Sequence, residues 1–239
     1  MGRTPTKCQT DGFACNAVAR PPPSPTEKSE HSPVNYFAHG LAYIDAPYFL
    51  AGTAVPDWLS VVDRKVRARA KGAKLLVDDD DPQVAAVAAG IVQHHHDDDW
   101  FHQTRAFAEL SWQFTVKIRD TLQNVEGGAD DGLRPSFLGH ILVELLLDAA
   151  LMEESPGQLE EYYAALDVVD AKVVEQTVNR IAARQTDRLH EFIELFRTHR
   201  FLFDYANDEK LLFRLNQVMR RVRLAALPAE LSKLFPEFR

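Results

Sequence analysis

Between Pro135 and Glu154 the chain reads PSFLGHILVELLLDAALMEE, so that Ile141, Leu142, Val143, Leu145, Leu146 and Leu147 crowd around one histidine and two carboxylates. His140, Glu144 and Asp148 are four residues apart. On an α-helix that spacing stacks them down a single face. A helix this apolar around its whole circumference belongs inside a protein. Buried carboxylates are strongly unfavourable unless they are paired or coordinate a metal. The fold must therefore surround this segment and bring partners to its polar stripe.

A second stripe has the same period: His94, Asp98 and His102, within the run His94-His-His-Asp-Asp-Asp99 and its continuation. His95, His96, Asp97 and Asp99 fall off that stripe and are expected to point elsewhere. Trp100 and Phe101 follow directly, which argues against a solvated helix end.

The punctuation between these stripes is helical throughout. Pro82, after the acidic loop Asp78 to Asp81, opens the helix that carries His94, and Pro135 opens the one that carries His140. Pro56 is expected to open a short helix. Leu110, Phe114, Ile118 and Leu122 recur at spacing four and extend a helix beyond His102. Gly127, Gly128 and the Ala-Asp-Asp-Gly that follows form a loop. Further amphipathic helices are marked by Val173, Val174, Val178 and Ile181, by Leu189, Phe192, Ile193 and Phe196, and by Leu211, Leu212, Leu215 and Val218. No segment alternates with period two and no repeat recurs. The expected class is all-α, a compact multi-helix domain over residues 35–239.

Residues 1–34 hold six of the thirteen prolines and both cysteines, Cys8 and Cys15. Their composition is that of a disordered leader, and a start at Val34 from a GTG codon is the sharper expectation. With no cysteine from residue 35 onward, neither a disulfide nor a thiolate metal site forms in the domain. The leader has no apolar core of the secretory type. Uninterrupted apolar windows such as Val84 to Val92 fall short of the ~20 residues of a membrane span. A cytoplasmic location without a transmembrane helix is expected.

Net charge is −8, divided as +1 over residues 1–34, −13 over 35–194 and +4 over 195–239. The overall sign, and the lack of an aromatic-basic groove motif, argue against nucleic-acid binding. The basic end carries Arg197, Arg200, Lys210, Arg214, Arg220, Arg221 and Arg223. It either meets an acidic partner or phosphate-rich ligand or forms an ordinary solvated helix face.

Two more positions join the stripes. His39, among Phe37, Ala38, Leu41 and Ala42, would alone read as a core histidine, and Asp57, between Pro56 and Trp58, as a helix cap. Taken together, four separate places supply histidine or carboxylate in apolar surroundings. Imidazole plus carboxylate without thiolate suits one or two divalent ions of zinc, manganese, iron or magnesium. Such ions activate water and clamp a phosphoryl group, so hydrolysis of a phosphoester follows. In that scheme the ligands are His39, Asp57, His94, Asp98, His102, His140, Glu144 and Asp148. Asp57 or Asp98 bridges ions or accepts the water proton, while Arg105 or Arg134 neutralises phosphate oxygens. No P-loop, dinucleotide-binding glycine fingerprint or Gly-x-Ser-x-Gly elbow is present.

Over roughly residues 35–151 the chain resembles the acyl carrier protein phosphodiesterases, all-helical relatives of the HD-domain metal-dependent phosphohydrolases. The segments that carry the resemblance are Asn35-Tyr-Phe-Ala-His39, Gly52-Thr-Ala-Val-Pro-Asp57, Gly90 with His94, Asp98 and Trp100, and the helix bearing Glu144 and Asp148. His102 stands where that family has Asp, Glu144 where it has Asp, and Ala149 where it has His. The resemblance implies an HD-like helical fold, a divalent metal and hydrolytic release of phosphopantetheine from acyl carrier protein, an acidic partner for the basic C-terminal helices. Ala54-Val-Pro-Asp57-Trp, with His94/Asp98 and His140/Glu144, is also similar to the zinc-dependent phospholipase C and nuclease P1 group, with His140 then a ligand. A non-catalytic helical metal-binding protein is the alternative from another class. The start at Val34 has a direct check: native protein analysed by intact mass lacks the first 33 residues, whereas Met1 or Gly2 at the terminus refutes it.

Overall fold

The computed structural model describes residues 35–123 and 133–239, so the leader and the glycine-containing loop around Gly127 and Gly128 lie outside the described residues. Among the described residues every regular element is a helix: α1 (Tyr36–Gly40), α2 (Pro47–Val62), α3 (Ala70–Ala73), α4 (Pro82–His102), α5 (Arg105–Gln123), α6 (Pro135–Glu154), α7 (Gln158–Asp167), α8 (Ala171–Ile181), α9 (Leu189–His199), α10 (Asp208–Arg221) and α11 (Phe235–Phe238). Short 3-10 turns fall at Leu41–Tyr43, Phe201–Ala206 and Ala229–Leu234. The all-α expectation holds.

Helix starts follow local chemistry. Pro82 occupies the first turn of α4, and the Asp81 side chain accepts from the Gln83 amide at 2.8 Å. Asp170 does the same for Lys172 at α8, and Asn207 for Lys210 at α10. Pro135 opens α6 as expected. Pro56 opens nothing: α2 begins nine residues earlier, at Pro47, and runs straight through Pro56. Proline lacks the N–H that would bond the Gly52 carbonyl, and the helix survives because its flanks, Val55, Asp57, Trp58 and Leu59, are buried against neighbours. The helix beyond His102 is likewise a separate one. A break at Gln103 and Thr104 intervenes, and the Thr104 hydroxyl accepts from the Phe107 amide at 3.2 Å to start α5. Of the spacing-four set in α5, Phe114, Ile118 and Leu122 are buried and Leu110 faces solvent.

Two helix pairs organise the molecule. α2 lies along α4, α5 lies along α6, and α1 touches both α2 and α6 and so joins the pairs. α7, α8 and α9 pack around α2 and α4, and the C-terminal turns cover α5, with the rings of Phe114 and Phe238 stacked at 4.1 Å. α6 is the buried helix that its sequence demands: Leu138, Ile141, Leu142, Glu144 and Asp148 are all fully enclosed. By length and mean hydropathy alone α6 would suffice to cross a membrane, although His140, Glu144 and Asp148 interrupt its apolar run, and most of it is buried inside the protein.

The α2/α4 crossing decides where His94 sits. Gly52 and Gly90 face one another so closely that a Cβ on Gly90 would collide with the Phe49 carbonyl and come within 2.9 Å of the Gly52 Cα. Only glycine lets the two backbones approach this far, and His94 lies one turn beyond the contact. Gly90→Ala is therefore expected to lower unfolding stability by about 2–3 kcal/mol, the cost of overpacking against rigid backbone. Urea denaturation of the variant measures it.

Candidate metal centre

The two stripes meet. The Nε2 of His102, from α4, lies 3.0 Å from Glu144 Oε1, and the Nε2 of His140 lies 3.1 Å from the same oxygen. Asp98 Oδ1 approaches His102 Nδ1 at 3.6 Å, and the His102 and His140 rings are 4.7 Å apart. His102, His140 and Glu144 each offer a ligand atom, all within 4.8 Å of one another, a group able to hold a metal ion. Spacing four on each helix put these side chains on one face, and the packing of the pairs α2/α4 and α5/α6 brings the two faces together at Glu144.

A second set lies beside the first. The His39 and His94 rings approach to 4.2 Å, both residues being buried. His39 Nδ1 faces Asp97 Oδ2 at 3.9 Å, while its Nε2 is buried and has no hydrogen-bond partner among the described residues. His94 is influenced by the nearby Thr53 backbone, and its Nδ1 is buried and without a hydrogen-bond partner among the described residues. A metal-binding histidine is usually held in this way, one nitrogen oriented by a carboxylate or carbonyl and the other directed at the ion. Asp57 is fully enclosed with both carboxylate oxygens unpartnered among the described residues. Leaving two carboxylate oxygens bare in a protein interior is costly, and a cation is what such oxygens fit.

Asp148 has a different local task. Its two oxygens accept from the amides of Phe37 and Ala38 at 3.1 and 2.8 Å, tying α6 to the first turn of α1 and so placing His39. Asp97 was expected to point away, yet it joins His39 and also accepts from the Gln93 amide nitrogen at 2.7 Å. On a helix residue 97 lies one turn from 94, so spacing three marks it as readily as spacing four marks Asp98. His95 does turn aside, its Nε2 lying 2.8 Å from the Ala68 carbonyl oxygen. Trp100 is exposed and Phe101 half-buried, so the aromatic pair does not seal this end of α4. Arg105 is exposed and engaged by Glu109 at 2.7 Å, and Arg134 is exposed at the start of α6. Neither arginine joins the cluster through an observed contact.

The electrostatics show a shortage of positive charge. Burial, then the charges of Glu144, Asp98 and Asp148, push the Asp57 carboxyl far above its usual range. Burial lifts Asp148 to about 8 despite its two amide donors. Burial also raises Asp98, with His102 opposing it and Glu144 adding to it. Burial acts upward on Glu144 as well, but hydrogen bonds to His102 and His140 outweigh it and hold the carboxyl low. His102 is correspondingly raised: burial lowers it, and Glu144 and Asp98 more than compensate. His94 is pushed well down by burial and by its neighbour His39, and so stays neutral, as a ligand must. One ion pair, His102 with Glu144, thus coexists with carboxyls that take up protons when no cation is supplied.

Comparison with protein-family models, with curated proteins and with solved structures finds no match.

The raised Asp57 carboxyl sets a pH signature in metal-free protein. A folded-state pKa above the unfolded value near 3.8 contributes stability that is complete below that value and disappears as pH rises through the folded pKa. Asp57→Asn keeps the neutral form at every pH. In EDTA, urea unfolding should find the variant about 1–3 kcal/mol more stable than the natural protein at pH 7, with the gap closing toward pH 4. Saturating Zn²⁺ or Mn²⁺ should reverse the order.

Proposed function

We propose that this chain is a metal-dependent phosphodiester hydrolase with its centre assembled from α1, α2, α4 and α6. The observation that carries this is the meeting of two helical stripes at Glu144, beside an Asp57 whose buried oxygens have no donor among the described residues. His102, His140 and Glu144 would hold one divalent ion. His39, His94 and Asp57 supply the donor set for a second. With four imidazoles against few oxygens, the set favours zinc, manganese or iron over magnesium. A bound divalent ion supplies a water of near-neutral pKa and neutralises phosphoryl oxygens.

The protein's own groups divide the remaining work. Asp98 is half-buried, raised in pKa and adjacent to His102, which suits it to accept a proton from an attacking water. Asp97 faces the outer nitrogen of His39, and Asp148 fixes α1. Arg105, tied to Glu109 at the surface, is not needed in this scheme, in which bound divalent ions would supply the positive charge.

Between the two resemblances, the position of His140 favours the phospholipase C and nuclease P1 type, in which that histidine is a ligand. The acyl carrier protein phosphodiesterase type would use the basic C-terminal helices as a docking face. There Arg197 donates to the carbonyls of Leu166 and Val169, Arg200 pairs with Glu160, Arg214 with Asp204 and Arg239 with Asp208. Most of that charge is therefore committed within the chain, which weakens the case for acyl carrier protein as the substrate.

Protein purified without a His-tag should carry a transition metal by elemental analysis and should hydrolyse bis(4-nitrophenyl) phosphate after Zn²⁺ or Mn²⁺ addition. Glu144→Gln and His140→Ala should each lower metal affinity or kcat/KM by about 10- to 100-fold or more. Absence of both metal and hydrolysis refutes the proposal, and an unimpaired His140→Ala variant would return weight to the acyl carrier protein type.

A further inference from the structure

A cavity of about 450 Å³ opens between α9, α10, the 201–206 turn and the flank of α6. Its size is that of a small-molecule site. Tyr36, Leu145, Phe196, Phe201 and Val218 give it an apolar wall, and none of the metal-candidate residues lines it. Arg220 and Arg221 give the lining its positive charge, and the exposed His199 and Leu195 also border it. Arg214 also contributes but is neutralised by Asp204 at 2.5 Å. Arg220 and Arg221 have no carboxylate partner among the described residues, although Asp204, Asp208 and Glu160 nearby in sequence or space are taken by other arginines. Inside, Tyr36 is 2% exposed and its hydroxyl has no hydrogen-bond partner among the described residues.

We infer that this cavity binds an anionic amphiphile, a molecule with an apolar body and a carboxylate or phosphate head, with the body against Tyr36 and Phe196 and the head between Arg220 and Arg221. Charge complementarity selects the occupant: an apolar ligand without charge would leave two guanidinium groups unused, and a free inorganic anion would leave the aromatic wall unfilled. The inference does not depend on the metal centre or on hydrolysis.

Octanoate, octyl phosphate and 1-octanol are the probes, titrated into the full-length protein by calorimetry. At least one of the two anions should bind one-to-one and at least tenfold more tightly than octanol, and the stronger of the two identifies the head group. The double variant Arg220→Glu/Arg221→Glu changes only surface-accessible side chains and should weaken the anion at least tenfold while leaving octanol unchanged. Leu195→Glu, on the exposed rim, should act in the same direction without touching either arginine. Glu144→Gln, which removes a proposed metal ligand, should leave binding as it was. Equal affinity for octanol and both anions overturns the inference, as do absence of binding by all three, charge reversal without effect, or a loss on Glu144→Gln, which would place the ligand in the metal centre.

Discussion

Glu144 is enclosed completely in the middle of a strongly apolar helix, and its Oε1 is shared by two imidazoles, one from the same helix and one from α4. A carboxylate in that position sets conditions on everything around it. α6 has to be surrounded on all sides, α4 has to deliver His102 to the right height, and α4 in turn depends on the glycine crossing with α2 for its position. The pairings of α2 with α4 and α5 with α6 can be seen as two apolar contacts that leave a polar seam where they meet. Along that seam lie His39, Asp57, His94, Asp98, His102, His140, Glu144 and Asp148. A seam with this many ionisable groups does not help a core cohere. Its His102, His140 and Glu144 could hold a cation, and burial raises the carboxyls of Asp57 and Asp148 beside them.

Much of this was legible in the chain because helical geometry is a strict rule. Period four picked out both stripes and the helices that carry them, and Pro82 and Pro135 marked where those helices begin. Proline at 56 misled because proline signals a start only where no neighbour sustains the helix. In α2 burial on both sides of Pro56 overrides the lost hydrogen bond. The continuity expected past His102 failed for a related reason: apolar periodicity persists across a break if the second helix turns its own apolar face to the same core. Asp97 and Asp148 show the limit of a stripe as a guide. Periodicity says which face a residue occupies, but only the packing partner decides whether its oxygen meets an imidazole, a backbone amide or an ion.

The arginines behaved differently from the histidines for a physical reason. A long, flexible, strongly solvated side chain finds the nearest surface carboxylate, and Arg105 with Glu109 does so within one helical turn. Sequence proximity to His102 therefore carried little information about function. Arg220 and Arg221 are more informative because the carboxylates of their region are already engaged elsewhere, and an apolar cavity lies behind them.

The two amide hydrogen bonds that Asp148 accepts from Phe37 and Ala38 span 111 and 110 residues of chain. α1 is only five residues long and has no stability of its own, so it acquires its position from α6. During synthesis the segment that carries His39 emerges long before Asp148 does; α2 follows at once as one packing partner, but the two bonds to Asp148 must wait until α6 is made. Closing so large a loop belongs to the slow, late part of folding. The position of His39 therefore rests on contacts with two helices made at very different times, and the order of α6 is transmitted to it through one carboxylate.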